Sequence, residues 1–157
     1  MEINKNLLRK TSLNLKLSRT LENMYDNYYD NRMFNKYMRR ALNLIKNGAN
    51  INTTNSNKEN LALIVAQKFA DINLIEPSFL YSFEQKYKQS KRCGETLMYL
   101  ICKGTNLGAI DESGVSVEGF IRQATPSVHK LGLLNLIERR KSVDIKIEGS
   151  KNKDANK

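Results

Sequence analysis

Tryptophan is absent from this 157-residue chain, histidine occurs once, and cysteine and proline occur twice each. Each scarcity narrows the reading. Two cysteines, Cys93 and Cys102, make no disulfide framework and lack the CxxC spacing of a zinc site, so a reducing compartment is expected and a metal is not. With His129 alone, no second imidazole is at hand for a metal or a proton relay. Two prolines and eight glycines are too few for a turn-dense β-sandwich and favour helices. No run of eighteen apolar residues is present, so no membrane span is expected, and MEINKNLLRK carries no apolar core of signal-peptide length. A cytoplasmic location follows as the expectation.

What is abundant is positive charge and aliphatic side chains. The net charge is +10, and 40% of residues are hydrophobic with 8% aromatic, enough for one domain with a modest aliphatic core. Residues 1–50 hold ten Lys/Arg against four Asp/Glu, so much of the excess is N-terminal. A basic surface attracts nucleic acid, anionic membrane or an acidic protein. An AT-rich genome, which enriches Lys, Asn and Ile together, accounts for the same composition.

Apolar spacing predicts a row of helices. Ser18 or Thr20 is placed to cap a first one, with Leu17, Leu21, Met24, Tyr25 and Tyr28 on one face. Asp30-Asn31 breaks the pattern. Met33, Phe34, Tyr37, Met38, Ala41, Leu42 and Ile45 then form a second stripe, closed by Lys46-Asn47-Gly48. A third helix is expected over 59–69 and an outer partner over 95–102. Between them, Pro77 starts an expected extra helix over 78–89. A short helix follows Ser116, and Thr125-Pro126-Ser127 opens a last one ending near Arg139-Arg140. Residues 143–147 alternate as a short extended arm would, and the polar tail over 142–157 is expected to be disordered.

Two turn-rich stretches punctuate the helices. One is Gly48-Ala49-Asn50-Ile51-Asn52 followed by Asn55. The other is KGTNLGAIDESGVS over 103–116, with Gly104, Asn106, Leu107, Ala109, Asp111, Gly114 and Ser116 at the telling positions. These resemble the arms of ankyrin repeats, "G-A-D-V-N" and "G-A-x-x-N-A-x-D-x-x-G-x-T". The likeness departs from the family at Lys58, where Gly is usual. Asn60-Leu61-Ala62-Leu63 and Ser116-Val117-Glu118-Gly119 stand where the family has its "T-P-L-H" helix opening. The arms lie 56 residues apart against a family period of about 33, so the middle repeat carries an insertion of about 23 residues, centred on 74–92.

The resemblance covers roughly residues 34–140. It implies an all-α fold: a short ankyrin-like repeat stack of about three helix pairs over 18–141, with an N-terminal segment over 1–17. It also implies a non-enzymatic protein–protein interaction module that needs no cofactor. The implied contact residues are Asn52, Thr54, Asn55 and Asn57 on one arm tip, and Ile110, Asp111, Glu112 and Ser113 on the next. Glu59, Gln67, Glu118 and Arg122 follow on the inner helices. Family members with Lys- and Asn-rich sequences occur in intracellular bacteria, and some are delivered into host cells; a host-directed effector role, by a route without a signal peptide, is the hypothesis this suggests. A monomer, or a weak homodimer through an exposed end repeat, is expected.

Catalytic patterns are missing. Gly114-Val115-Ser116-Val117-Glu118 has Glu where a GxSxG elbow needs Gly, and no phosphate loop is present. Cys93 sits beside Lys91 and Arg92, which would activate an accessible thiol; a buried, inert thiol is the alternative. The competing function is a basic helical nucleic-acid-binding domain. It would use Arg9, Lys10, Lys16, Arg19, Lys36, Arg39 and Arg40, interleaved with Tyr25, Tyr28, Tyr29 and Tyr37 as stacking platforms.

Overall fold

Lys46-Asn47-Gly48 and Cys102-Lys103-Gly104 end two helices in the same way, and that shared ending sets the layout. Both glycines take a left-handed backbone, φ 102° and 86°. In the first, Gly48 N–H donates to Ile45 O and Ala49 N–H to Leu44 O; in the second, Gly104 N–H donates to Ile101 O and Thr105 N–H to Leu100 O. This double closure uses the last carbonyls of each helix and turns the chain out into an arm.

The computed structural model describes residues 2–74 and 82–154. These residues form α1 (Glu2–Asp26), α2 (Asn31–Lys46), α3 (Leu61–Leu74), α4 (Phe83–Cys102), α5 (Val117–Gln123) and α6 (Val128–Asp154). The protein is all-α. The helices pack as α1 with α2, α3 with α4 and α5 with α6, and the last two pairs meet through α3 against α5 and α4 against α6. Among the described residues the only β-type pairings are single bridges, Thr54 with Asn60 and Ile110 with Ser116, one at each arm tip.

The third helix is the centre of the core. Leu61 through Ala66 and Phe69 are fully buried, with Ala70 and Ile72 nearly so. A helix apolar on every side has to be enclosed by neighbours. The outer helix α2 is amphipathic instead: Phe34, Met38 and Ala41 are buried, while Arg32, Lys36, Arg39 and Arg40 are exposed. Polar ties reinforce the contact between the first two pairs. Asn35 and Gln89 exchange amide hydrogen bonds of 2.7 and 3.0 Å, and Tyr28 Oη donates to Asp71 Oδ2 at 2.6 Å.

Three cations close helix ends. Lys68 Nζ, on a side chain only 6% exposed, donates to Tyr28 O just past α1, at 2.6 Å. Lys130 Nζ donates to Arg122 O and Ala124 O at the end of α5. Arg140 Nη1 donates to Thr105 O at 2.6 Å, below α4. A helix C-terminus is electronegative and short of donors, so part of the basic excess serves the fold itself.

Several boundaries differ from those the sequence suggests. Neither Ser18 nor Thr20 caps a helix, because α1 begins at Glu2 and runs through the expected boundary at 17/18. Thr20 Oγ1 instead donates back to Lys16 O, and Ser18 Oγ donates across to Thr54 O. The extra helix over 78–89 and the outer helix over 95–102 are one helix, α4, over their described part; its cap is Ser82, whose hydroxyl accepts from Gln85 N–H. Pro77 lies outside the described residues. At the other end α6 continues to Asp154, so residues 143–147 and most of the tail are helical rather than extended or disordered. No helix among the described residues is long and apolar enough to cross a membrane.

Candidate protein-binding surface

The two arms have the same backbone construction, position for position. At each tip a four-residue turn closes on an Asx side chain. In the first, Lys58 N–H donates to Asn55 O and Asn55 N–H to Glu59 O. In the second, Gly114 N–H donates to Asp111 O and Asp111 N–H to Val115 O. Asn55 Oδ1 accepts from Glu59 N–H at 2.8 Å, and Asp111 Oδ1 from Val115 N–H at 2.7 Å. The residue that must go left-handed is Gly114 in one arm and Lys58 in the other, φ 79° and 65°.

The arms are laced side by side through asparagines. Asn14 Oδ1 on α1 accepts from Asn50 N–H, and Asn52 Oδ1 accepts from Asn106 N–H, both at 2.7 Å. Asn50 and Asn106 each turn their own side chain onto the N–H two residues on. Asn60 does two tasks. Its Oδ1 caps α3 at Leu63 N–H, and its Nδ2 reaches Asn106 O in the next arm. A single residue thus supplies a helix cap and a tie between arms at the first of the two places where the expected helix opening is missing. On the other side Glu22 holds the first tip, accepting from Ser56 N–H and Ser56 Oγ.

The twelve residues expected to make contacts divide by the work they already do. Asn55 and Glu59 are 5% and 3% exposed and are bonded to each other, so they build the tip from within and are not a contact surface. Glu118 is held by Arg122 and Lys141, each at 2.6 Å, and Arg122 also approaches Glu138; this places Glu118 and Arg122 in a surface ion network joining α5 to α6. Asn52 is exposed but its oxygen is committed to Asn106, and Asp111 is committed to its turn. Thr54 and Asn57 are half-buried. Ile110 is 53% exposed, and Glu112 and Ser113 are exposed beside it. Gln67 is half-buried on α3, and its Oε1 has no hydrogen-bond partner among the described residues.

One member of this surface is a residue the helical pattern assigns to the core. Tyr25 is 39% exposed at the end of α1. Its phenol is pushed up first by the charge of Glu59, then by burial, then by Glu112. The carboxyl of Glu59 is itself raised, chiefly by burial, against the lowering effect of Asn55 and with further upward pushes from Asp111 and Glu112. Glu59 of the first arm and Glu112 of the second are thus both close enough to Tyr25 to act on its phenol. The signal in the sequence was the position of Tyr25 next to the helix end, where a core-facing stripe runs out.

The remaining chemistry-bearing side chains are packed. Cys93 is fully buried and its thiol is pushed up to about 12 by burial, which outweighs Lys68 and Arg92, so it is not the activated thiol that its basic neighbours suggest. Cys102 is exposed. His129 lies against Gly94 of α4, where a β-carbon would sit 3.4 Å from its own, with the Tyr87 ring 6.4 Å away. Tyr28 is 8% exposed and Tyr37 half-buried, so neither offers a free face to a base. Among the described residues no three His, Cys, Asp or Glu side chains come close enough to hold a metal. A scan against protein-family models, a search of curated proteins and a search of solved structures each found no match.

Proposed function

We propose that the chain is a protein-binding module of ankyrin-like type, not an enzyme, and that it grips its partner with the two arm tips and Tyr25. The observation that carries this reading is the repetition of one arm geometry 56 residues apart, with the second arm hydrogen-bonded to the first through Asn52 and Asn106. Two braced loops presented side by side form a rigid platform, and rigid platforms lose little entropy on binding. Ile110 offers an apolar contact, with Glu112 and Ser113 beside it and Tyr25 within reach of the Glu112 charge. Aromatic and apolar anchors within a polar rim are the usual centre of an interface. The local field is negative, so the partner is a protein segment carrying Lys or Arg around an apolar residue. The idea that the partner is a host protein rests on the likeness to Lys- and Asn-rich ankyrin proteins of intracellular bacteria. Failure to find the protein in the cytosol of infected cells would count against it.

The test is a pull-down at physiological salt, with and without nuclease, using the wild type and the double variant Ile110→Asp, Glu112→Lys. Both changes lie on exposed side chains and leave the turn bonds of Asp111 in place. A discrete protein retained after nuclease and lost in the variant supports the reading. Recovery that ignores the arm tips sinks it.

A further inference from the structure

The outer helices α2 and α4 lie beside each other and leave a groove between them. Its successive stretches have volumes of 380, 320 and 400 Å³ and share lining residues: Arg39 and Arg92 link the first two, and Tyr99 the last two. From Arg32 to Lys46 it follows α2 for about 21 Å at 1.5 Å per residue. Arg32 and Arg39 stand on one wall and Arg92 on the other. Among the described residues no carboxylate pairs with any of these three. The one carboxylate lining the groove is Glu95, which lies 3.9 Å from Lys91. At the far end Lys46 and Lys103 both approach the Tyr99 ring, at 5.8 and 5.9 Å.

We infer that this groove binds single-stranded nucleic acid along its phosphate backbone, a function separate from the arm surface. Three features select that ligand. Guanidinium groups on opposing walls match phosphate oxygens with paired donors. Every side chain lining the first stretch is polar, and the apolar Met38, Leu42, Ile45 and Ile51 enter only in the next two, so the arginine end offers charge to phosphates without an apolar pocket. The Asn35–Gln89 pair that lies in this stretch is buried and bonded to itself, whereas Arg32, Arg39 and Arg92 are exposed. Tyr99 is half-buried against the core at the end of the track, and the two lysines over its ring add further positive charge there. Arg92, Lys103 and Tyr99 lie outside the basic N-terminal region that composition singles out; only the fold brings Arg92 to Arg32 and Arg39, and Tyr99 and Lys103 to Lys46.

The test is fluorescence anisotropy with a labelled, mixed-sequence single strand of about 16 nucleotides, titrated with the full chain over a range of salt. The triple variant Arg32→Gln, Arg39→Gln, Arg92→Gln should flatten the log K against log salt slope by about 2, at about 0.7 per lost phosphate contact. Arg92→Lys should keep the slope and lose part of the affinity. A charge-matched control, Arg9→Gln, Lys10→Gln, Lys16→Gln on exposed positions of α1, should retain wild-type binding. Circular dichroism checks that each variant is folded. The proposal is overturned if the wild type fails to bind at low salt, or if the control costs as much as the triple variant. It is also overturned if oligoglutamate competes equally at equal charge, which would assign the groove to an acidic protein.

Discussion

Lys58 and Gly114 hold the same place in two equivalent turns, and both have positive φ, 65° and 79°. Glycine adopts that conformation freely, whereas a side chain with a β-carbon pays about 1 kcal/mol or more to enter it. Lys58 is exposed and makes no ion pair among the described residues that would offset this. Lys58→Gly should therefore stabilise the protein by about 0.5 kcal/mol, once the greater freedom of glycine in the unfolded chain is subtracted. Urea unfolding of the two proteins measures it. An unchanged or lower midpoint would mean that the lysine makes an offsetting contact.

The tie between arms should be measurable from either side. Asn52 Oδ1 is the acceptor for Asn106 N–H, so Asn52→Ala removes that bond and leaves the bond from Asn60 Nδ2 to Asn106 O as the tie between the arms. A loss of about 1 kcal/mol is expected, since the amide is exposed and water replaces part of the bond. The sharper readout is local. Hydrogen exchange at Asn106 should accelerate while exchange at Asn50, held by Asn14, stays as it was. Equal acceleration at both would show that the arms open together and that no separate tie exists.

Much of the arm architecture was legible because its residues act locally. Gly48, Gly104 and Gly114 stand at the expected turn positions and are left-handed, and the expected break at Asp30 and helix start at Ser116 are where helices are capped, all by neighbours within a few residues. What was illegible depends on distant partners. Residues 90–94 fall between two expected helices, yet Gly94 sits inside α4, with His129 of α6 lying against it. Ser18 and Thr20 read as caps because sequence does not reveal that α1 is already a turn or more under way, nor that arm one offers Thr54 O to Ser18. Lys68 is a cation on α3 that the apolar pattern does not place. It is buried because α1 ends beside it and presents an unpaired carbonyl. For the arms the pattern located the tips but could not separate tip builders, Asn55 and Glu59, from the exposed Ile110 and Glu112.

The two thiols should behave very differently. Cys102 is exposed, while Cys93 is fully buried with its thiol held up at about 12 against an ordinary 9.0. A disulfide reagent should titrate one thiol at once in the native protein and the second only as fast as the chain unfolds. The same burial dictates the alkaline limb of stability. Above pH 9.0 the unfolded chain loses the Cys93 proton and the folded chain keeps it, so stability falls as pH rises toward the folded value, by up to about 1.4 kcal/mol per pH unit. Tyr28, raised by burial and by Asp71, acts in the same sense from about pH 10. Lys68, lowered by burial, opposes them below 10.5. Cys93→Ala should start from a lower stability and show a flatter decline between pH 9 and 11. Parallel declines would remove the thiol from the account.

Glu59 is the clearest test of whether the tip carries a penalty for its charge. Its carboxyl is raised above 4.5, mainly by burial and then by Asp111 and Glu112. A folded value above the unfolded one means that the stabilising contribution is complete below pH 4.5 and is lost as pH rises through the folded value. At neutral pH the ionised Glu59 is therefore a cost, held in place by the Asn55 hydrogen bonds. Glu59→Gln keeps an oxygen for Asn55 Nδ2 and removes the charge. It should raise the melting temperature at pH 7 and change it little at pH 4. The same substitution should lower the pKa of Tyr25, since Glu59 is the largest contributor to its upward shift, and ultraviolet titration of the phenols can follow that. If the charge of Glu59 also guides a basic partner, Glu59→Gln should weaken capture at low salt more than at high salt. A variant that gains stability and loses salt-dependent capture would show that the tip keeps a destabilising charge for its binding role. A gain in stability with capture unchanged would confine Glu59 to the fold and leave Glu112 as the charge that meets the partner.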